Sequence, residues 1–231
     1  NTSTNASATV EPSGGTLAVS NMVSASAVGA QSNLWLSGGT LLALKNFTNS
    51  ITTTLTNSPG PGLFTFSTAF TNLQSGVLTG PGGLAKAGVG LLNLTQVNDY
   101  TGETVVNEGT LALIGSATIA NSTQITVAAG ATLDASSPGL LTVGAGQVIK
   151  GGGSVLGSLI SDGTTAPGAS PGTLSVTGDY QNNGTLALEI GGTTPGTEHD
   201  VLAVSGEAGL GGTIQVTLVD GFTPSGGQSF T

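Results

Sequence analysis

Aliphatic side chains recur at every second position in short runs: Leu111/Leu113, Ile125/Val127, Leu141/Val143, Leu174/Val176, Leu186/Leu188/Ile190, Leu202/Val204 and Ile214/Val216/Leu218, with Thr, Ser, Ala, Gln or Glu between them. A period of two sends one set of side chains inward and the other outward on a strand, so these runs predict many short, half-buried strands. Turn chemistry separates them, at Asn107-Glu108-Gly109, Ala129-Gly130, Gly151-Gly152-Gly153, Asn182-Asn183-Gly184 and Gly191-Gly192. Gly and Asn accept a positive φ at low cost there. Helical periodicity is nearly absent, and its best stretch, Ala18 to Gly29, lacks a sustained i, i+3/i+4, i+7 stripe.

The strand signal itself repeats. Gly-Thr followed by Leu or Ile opens runs at Gly15, Gly39, Gly109, Gly172, Gly184 and Gly212, and the glycines at 109, 130, 151 and 172 are each 21 residues apart. A fixed period of that length marks a stack of like units. The expected fold is all-β, a right-handed parallel β-helix (β-solenoid) with rungs of about 21 residues. A β-sandwich is the alternative, but its Greek-key connections have no reason to recur at one spacing.

Residues 1–81 are expected to form an irregular N-terminal β region with the first rungs, and 82–231 the regular β-helix. Within the first part, 1–14 is a polar lead-in, Thr52 to Thr56 a β-branched run, Pro59-Gly60-Pro61-Gly62 a sharp loop and Leu63 to Phe66 a strand with aromatic faces. Phe47, Phe64, Phe66, Phe70, Phe222 and Trp35 fall outside 84–190 and are expected to close or thicken an end of the coil.

Composition narrows the function. Only 6% of the 231 residues are charged, and 12 acidic residues against 3 lysines leave a net charge of −9. Ordinary soluble domains carry about 25% charged residues. Three lysines cannot neutralise a row of phosphates, so nucleic acid is excluded as a partner. No apolar run approaches the ~18 to 20 residues that cross a bilayer as a helix. Disorder is disfavoured too, because disordered chains combine low hydrophobicity with high charge. The absence of Cys removes disulfides, thiolate metal sites and thiol catalysis together. The chain opens at Asn1 without the charged and apolar regions of a signal peptide. It ends at Gln228-Ser229-Phe230-Thr231 inside a strand-like run, so more sequence is expected to follow.

One segment carries a motif. Gly83, Leu84, Lys86, Gly88, Gly90, Leu92, Leu94, Asn98, Tyr100, Thr101, Gly102, Thr104, Val106, Gly109, Thr110 and Leu111 fall without a gap on a pattern that closely resembles the autotransporter-associated β-strand repeat, also called the passenger-associated transport repeat, of bacterial secreted and surface proteins. Gln96, where the pattern usually has a small residue, is a minor departure. Pro167 to Val176 and Asp200 to Gly206 resemble the segment that follows such repeats. The resemblance implies a β-helical passenger, exported and displayed or released, whose repeat is associated with secretion and folding at the outer membrane. These motif residues are expected to be structural.

Candidate chemistry is sparse. His199, in Glu198-His199-Asp200, is the one imidazole and has no second His or Cys to complete a zinc site; it is expected to be exposed in a turn, with Asp200 capping the next strand. Glu198, Asp200 and Asp179 could meet as calcium ligands between rungs, but no EF-hand loop or Gly-Gly-x-Gly-x-Asp repeat accompanies them. Eight further acids, Asp99, Glu103, Glu108, Asp134, Asp162, Glu189, Glu207 and Asp220, are expected at turns and outward positions rather than as a catalytic pair. Gly82 to Gly90 lacks the context of a phosphate cradle. Trp35 and Tyr100 could stack on sugars, though Tyr100 lies inside the motif. Sequons stand at Asn1, Asn5, Asn46, Asn93, Asn121 and Asn183.

The expectation is therefore a non-catalytic, structural β-solenoid, secreted or displayed on a bacterial surface, without a cofactor or a resident metal. Its expected partners are copies of itself, joined through unpaired end rungs into a fibre or surface layer, or cell-surface components, glycans included. An adhesin or carbohydrate-binding passenger is the alternative.

Overall fold

The computed structural model describes residues 8–9, 15–22, 33–57 and 62–231. Most of the 1–14 lead-in, the stretch from 23 to 32 and the Pro59-Gly60-Pro61 loop lie outside the described residues. Every strand-to-strand pairing is parallel, and no helix occurs among the described residues. The chain divides into two compact units, 1–123 and 124–231.

In the second unit the chain visits three sheets in turn. Gln124–Val127 lies on the first, Thr132–Asp134 on the second and Leu140–Val143 on the third, before Val148–Gly151 returns to the first. The first sheet continues with Thr164–Pro167, Thr185–Ile190 and Thr213–Leu218. The first unit winds the same way. One sheet stacks Thr16–Val19, Thr40–Ala43, Leu63–Thr68, Gly83–Ala87 and Thr104–Val106, and another stacks Thr48–Asn49, Thr71–Gln74, Leu91–Leu94 and Thr110–Leu113. The third holds Ala8–Thr9, Asn33–Leu36, Thr52–Leu55 and Leu78–Thr79. Each unit is thus a three-faced β-solenoid. Stacked partners sit about 21 residues apart, with extremes of 16 from Val148 to Thr164 and 28 from Thr185 to Thr213. The longest of these rungs contains the 191–200 loop.

The recurring Gly-Thr-Leu sets the register. Thr16 pairs Thr40 and Thr40 pairs Thr65, while Thr164 pairs Thr185 and Thr185 pairs Thr213. The following aliphatic position points inward, so like lies on like. Leu111, Leu113, Ile125, Val127, Leu141, Val143, Leu174, Val176 and Leu186 are all buried, as the alternation predicts. Burying such a side chain contributes ~1.5–3 kcal/mol, and in a stack it does so through neighbouring rungs only. Ile214, Val216 and Leu218 keep the inward parity but are about half exposed on the edge strand of their sheet.

Two features of the interior depart from the alternation. Phe47, Phe64 and Phe66 are core residues, with the Phe47 and Phe66 rings 6.1 Å apart, so they widen rungs from within. Polar side chains also turn inward. Asn49 Nδ2 donates to Gln74 Oε1 in the next rung at 2.7 Å, Thr68 Oγ1 donates to Asn72 Oδ1 at 2.6 Å, and Asn72 Nδ2 reaches the Lys45 carbonyl at 2.9 Å. These groups are satisfied, as burial of polar atoms requires.

Candidate functional site

The motif occupies successive rungs of the first unit. Strand Gly83–Ala87 lies between Leu63–Thr68 and Thr104–Val106, and the register places Lys86 between Phe66 and Val106. Lys86 shares the inward parity of Leu84 and is fully buried. Its ammonium folds back and donates three hydrogen bonds, to the carbonyls of Ala87 at 3.0 Å, Gly88 at 2.6 Å and Glu108 at 3.1 Å. An ammonium has three donors and no acceptor, so this cradle saturates it. Two carbonyls belong to its own turn, where Gly88 adopts φ +72°, and the third to the next rung. Lys86 therefore ties one turn to the turn above it.

Burial pulls the Lys86 pKa down from 10.5 to about 8, while the Glu108 carboxylate pushes it back up. The unfolded chain holds this proton more tightly than the folded one, so unfolding takes up a proton between pH 8 and 10.5. Stability is then expected to rise with pH across that window and to be flat in this group below it. Buried Tyr100 and Tyr180, both raised above 10 by desolvation, act in the opposite sense once the unfolded tyrosines ionise near pH 10. Urea midpoints at pH 7 and 9.5 isolate the lysine: the midpoint should rise in the parent and lose that rise in Lys86→Met. A parent midpoint that falls would contradict the assignment.

Asn98 is the second tie. Its Oδ1 accepts the Leu78 N–H at 2.9 Å, and its Nδ2 donates to the carbonyls of Gln96 at 2.9 Å and Thr118 at 3.2 Å. Leu78 belongs to the preceding rung and Thr118 to the following one, so one amide side chain holds three rungs. Beside it runs a buried hydroxyl relay. Tyr100 donates to Thr104 Oγ1 at 2.5 Å, Thr104 donates to Ser122 Oγ at 2.9 Å, and Ser122 donates to the Gly102 carbonyl at 2.8 Å. Desolvation holds the Tyr100 phenol neutral, against the bond to Thr104.

The motif glycines mark places where rungs touch backbone to backbone. A Cβ at Gly102 would land on Gly82 C and Gly83 N, and one at Gly109, where φ is +67°, would meet the carbonyls of Gly88 and Gly90. Leu84, Leu92, Leu94, Val106 and Leu111 fill the interior. Backbone N–H groups of Gly83, Gly90, Thr101 and Thr110 bond the rung below. Ser122, which completes the relay, lies outside the recognised pattern; its sequence context, Asn121-Ser122-Thr123, carries no signal that would have found it.

The other candidates fall elsewhere. Tyr100 is buried, whereas Trp35 is 46% exposed on the outer face of its sheet. His199 is not exposed in a turn: it is 2% exposed, set edge-on to the Phe230 ring at 5.5 Å, with Nδ1 3.2 Å from the Gly192 carbonyl. Asp200 is also buried rather than solvated. It caps two backbone N–H groups, of Gly172 at 2.9 Å and Glu189 at 2.8 Å, and burial raises its pKa despite those bonds. Glu198 accepts from Thr194 N at 2.8 Å and is lowered chiefly by its bonds to that residue, and Asp179 accepts from Glu207 N. Among the described residues no three His, Asp or Glu side chains gather as a metal ion would need.

Comparison with known proteins agrees with this geometry. Residues 84–113 match the family described as passenger-associated-transport-repeat. The adhesin BmaC autotransporter of Brucella suis biovar 1 (strain 1330) is 34% identical over 184 residues, which is 78% of this chain. The chain spans about 5% of that relative's length. No solved structure matches it. With parallel rungs, inward aliphatic ladders, Lys86, Asn98 and Thr104 spent on rung-to-rung bonds and Tyr100 bonded to Thr104, the chain is a β-solenoid that carries an autotransporter passenger repeat.

Proposed function

We propose that this chain is a non-enzymatic, structural or adhesive β-solenoid section of a secreted or surface-displayed bacterial passenger. The observation that carries the reading is the use of the motif's polar side chains. The Lys86 ammonium, the Asn98 amide and the Tyr100 and Thr104 hydroxyls are all engaged with the chain itself. Groups committed in this way hold a scaffold together and are not free to attack or protonate a substrate. Similarity to a protein named an adhesin supports the adhesive side of the reading.

Assembly is the finer part of the proposal. Strand Thr213–Leu218 pairs on one side with Thr185–Ile190, and its Ile214, Val216 and Leu218 are about half exposed. A further rung in the Gly-Thr-Leu register, from the same polypeptide or from a second copy, would cover them and extend the ladder. Sedimentation velocity and negative-stain micrographs from micromolar to millimolar protein test the second source. Concentration-dependent filaments that Val216→Lys abolishes are the expected result. Monomers at every concentration would remove self-assembly and leave the displayed scaffold.

A further inference from the structure

We propose that the second unit binds a neutral oligosaccharide in the groove on the outer face of its first sheet, an inference that rests on the adhesive reading above. The groove is a cavity of about 510 Å³, within the range of small-ligand sites. Its floor is formed by the small outward residues Ala166 and Ala187, on strands that are hydrogen-bonded neighbours. Polar side chains converge from its edges: Thr126, Lys150, Ser170, Glu189 and Thr217.

Two observations distinguish this groove from ordinary surface. Lys150 and Glu189 both line it, yet neither forms an ion pair or a side-chain hydrogen bond with any described residue. Of the chain's three lysines, Lys150 stands in this groove without a carboxylate partner among the described residues. The wall is also held in a costly shape. Ser170 takes φ +90°, a conformation that a non-glycine residue adopts only when its surroundings impose it. The loop around it is pinned at both ends, with Gly172 N–H bonded to the buried Asp200 carboxylate and Gly168 N–H to the Gly151 carbonyl. The groove is pre-shaped.

The chemistry selects the ligand. The Lys150 ammonium offers donors, the Glu189 carboxylate offers acceptors, and three hydroxyls offer both, which is the complement of a chain bearing many hydroxyls. The alanine floor suits the C–H face of a sugar ring. An extended peptide is disfavoured, because strands Thr164–Pro167 and Thr185–Ile190 are paired on both sides and leave no ladder to join. A polyanion is disfavoured by Glu189 and Asp200 in the groove and by the net charge of −9.

The test uses the whole 231-residue chain on an array of neutral, acidic and amino oligosaccharides and of peptides, with calorimetry on the hits. Binding to neutral glycans is expected. Ala187→Trp, which fills the floor, should weaken it at least tenfold, and Lys150→Ala and Glu189→Ala by about three- to tenfold each, the range of one ordinary hydrogen bond lost to solvent. Circular dichroism confirms that each variant is folded, and the two edge substitutions remain informative if Ala187→Trp is not. Absence of neutral-glycan binding, binding unchanged in all folded variants, or preference for polyanions or peptides would overturn the proposal. Beads coated with the parent chain and applied to cell layers read the adhesive function separately. Beads that adhere equally well with Ala187→Trp sink the groove and spare that function, and beads that never adhere sink the function itself.

Discussion

Asn98→Ala is expected to destabilise the first unit by about 3 kcal/mol, more than loss of an average polar contact. The substitution removes three hydrogen bonds to backbone in a site that is 2% exposed and strands the Leu78 N–H, while the Gln96 and Thr118 carbonyls each keep one backbone donor, from Thr118 and Asn98. A stranded buried donor costs about 1–3 kcal/mol, and the two carbonyls, each losing one of two bonds, add about 0.5–1.5 kcal/mol apiece. Asn98→Asp keeps an acceptor for the Leu78 N–H but sets a carboxylate oxygen against the Gln96 and Thr118 carbonyls, so it should destabilise at least as much as Asn98→Ala at neutral pH. Urea unfolding followed by circular dichroism reads the loss, and hydrogen exchange locates it: amides of Leu78 and its neighbours should lose protection well before those of the second unit. Uniform loss of protection, or a change under 1 kcal/mol, would show that the side chain does not hold the rungs.

Gly102→Ala is expected to be worse, and for a steric reason. The added methyl would coincide with the backbone of Gly82 and Gly83 in the rung below, where no side chain can rotate away. The rungs must part locally, which breaks the Gly102 N–H bond to the Gly82 carbonyl and displaces the Gly102 carbonyl that anchors Ser122. Overpacking of rigid surroundings costs about 1–3 kcal/mol before any hydrogen bond is lost, so a total near 4 kcal/mol is expected. Gly115→Ala is the comparison. Its Cβ would meet nothing within 4 Å, and only its φ of +64° opposes the change. Thermal melts that rank the two variants the other way would refute the close-stacking account.

The strands were legible because nothing competes with the signal: alternation of Leu, Val and Ile with Thr and Ser has one structural reading, and Gly-Thr-Leu marks where each register begins. The motif was legible as a pattern, but the work of each residue was not. Lys86 shows why. Its parity with Leu84 points inward and its charge points outward, and the conflict resolves only when two turn carbonyls and a third from the next rung are folded around the ammonium. His199 is hidden by Phe230, a contact across 31 residues that no local pattern announces. The groove was invisible for a related reason. Ala166 and Ala187 are unremarkable apart, and they form a floor only when their rungs are stacked and the Asp200-held loop rises beside them.

The three-rung reach of Asn98 bears on where this repeat begins and ends. The recognised pattern runs from 84 to 113, yet its bonds need the Leu78 amide before it and the Thr118 carbonyl and Ser122 hydroxyl after it. A peptide cut at the pattern's own boundaries would contain every signature residue but Gly83 and be able to close neither the amide tie nor the hydroxyl relay. The smallest piece that contains both the amide tie and the hydroxyl relay is 78–122. Grafts and chimeras of such repeats should be cut at those points, since the conserved-looking letters and the mechanical unit they belong to have different lengths.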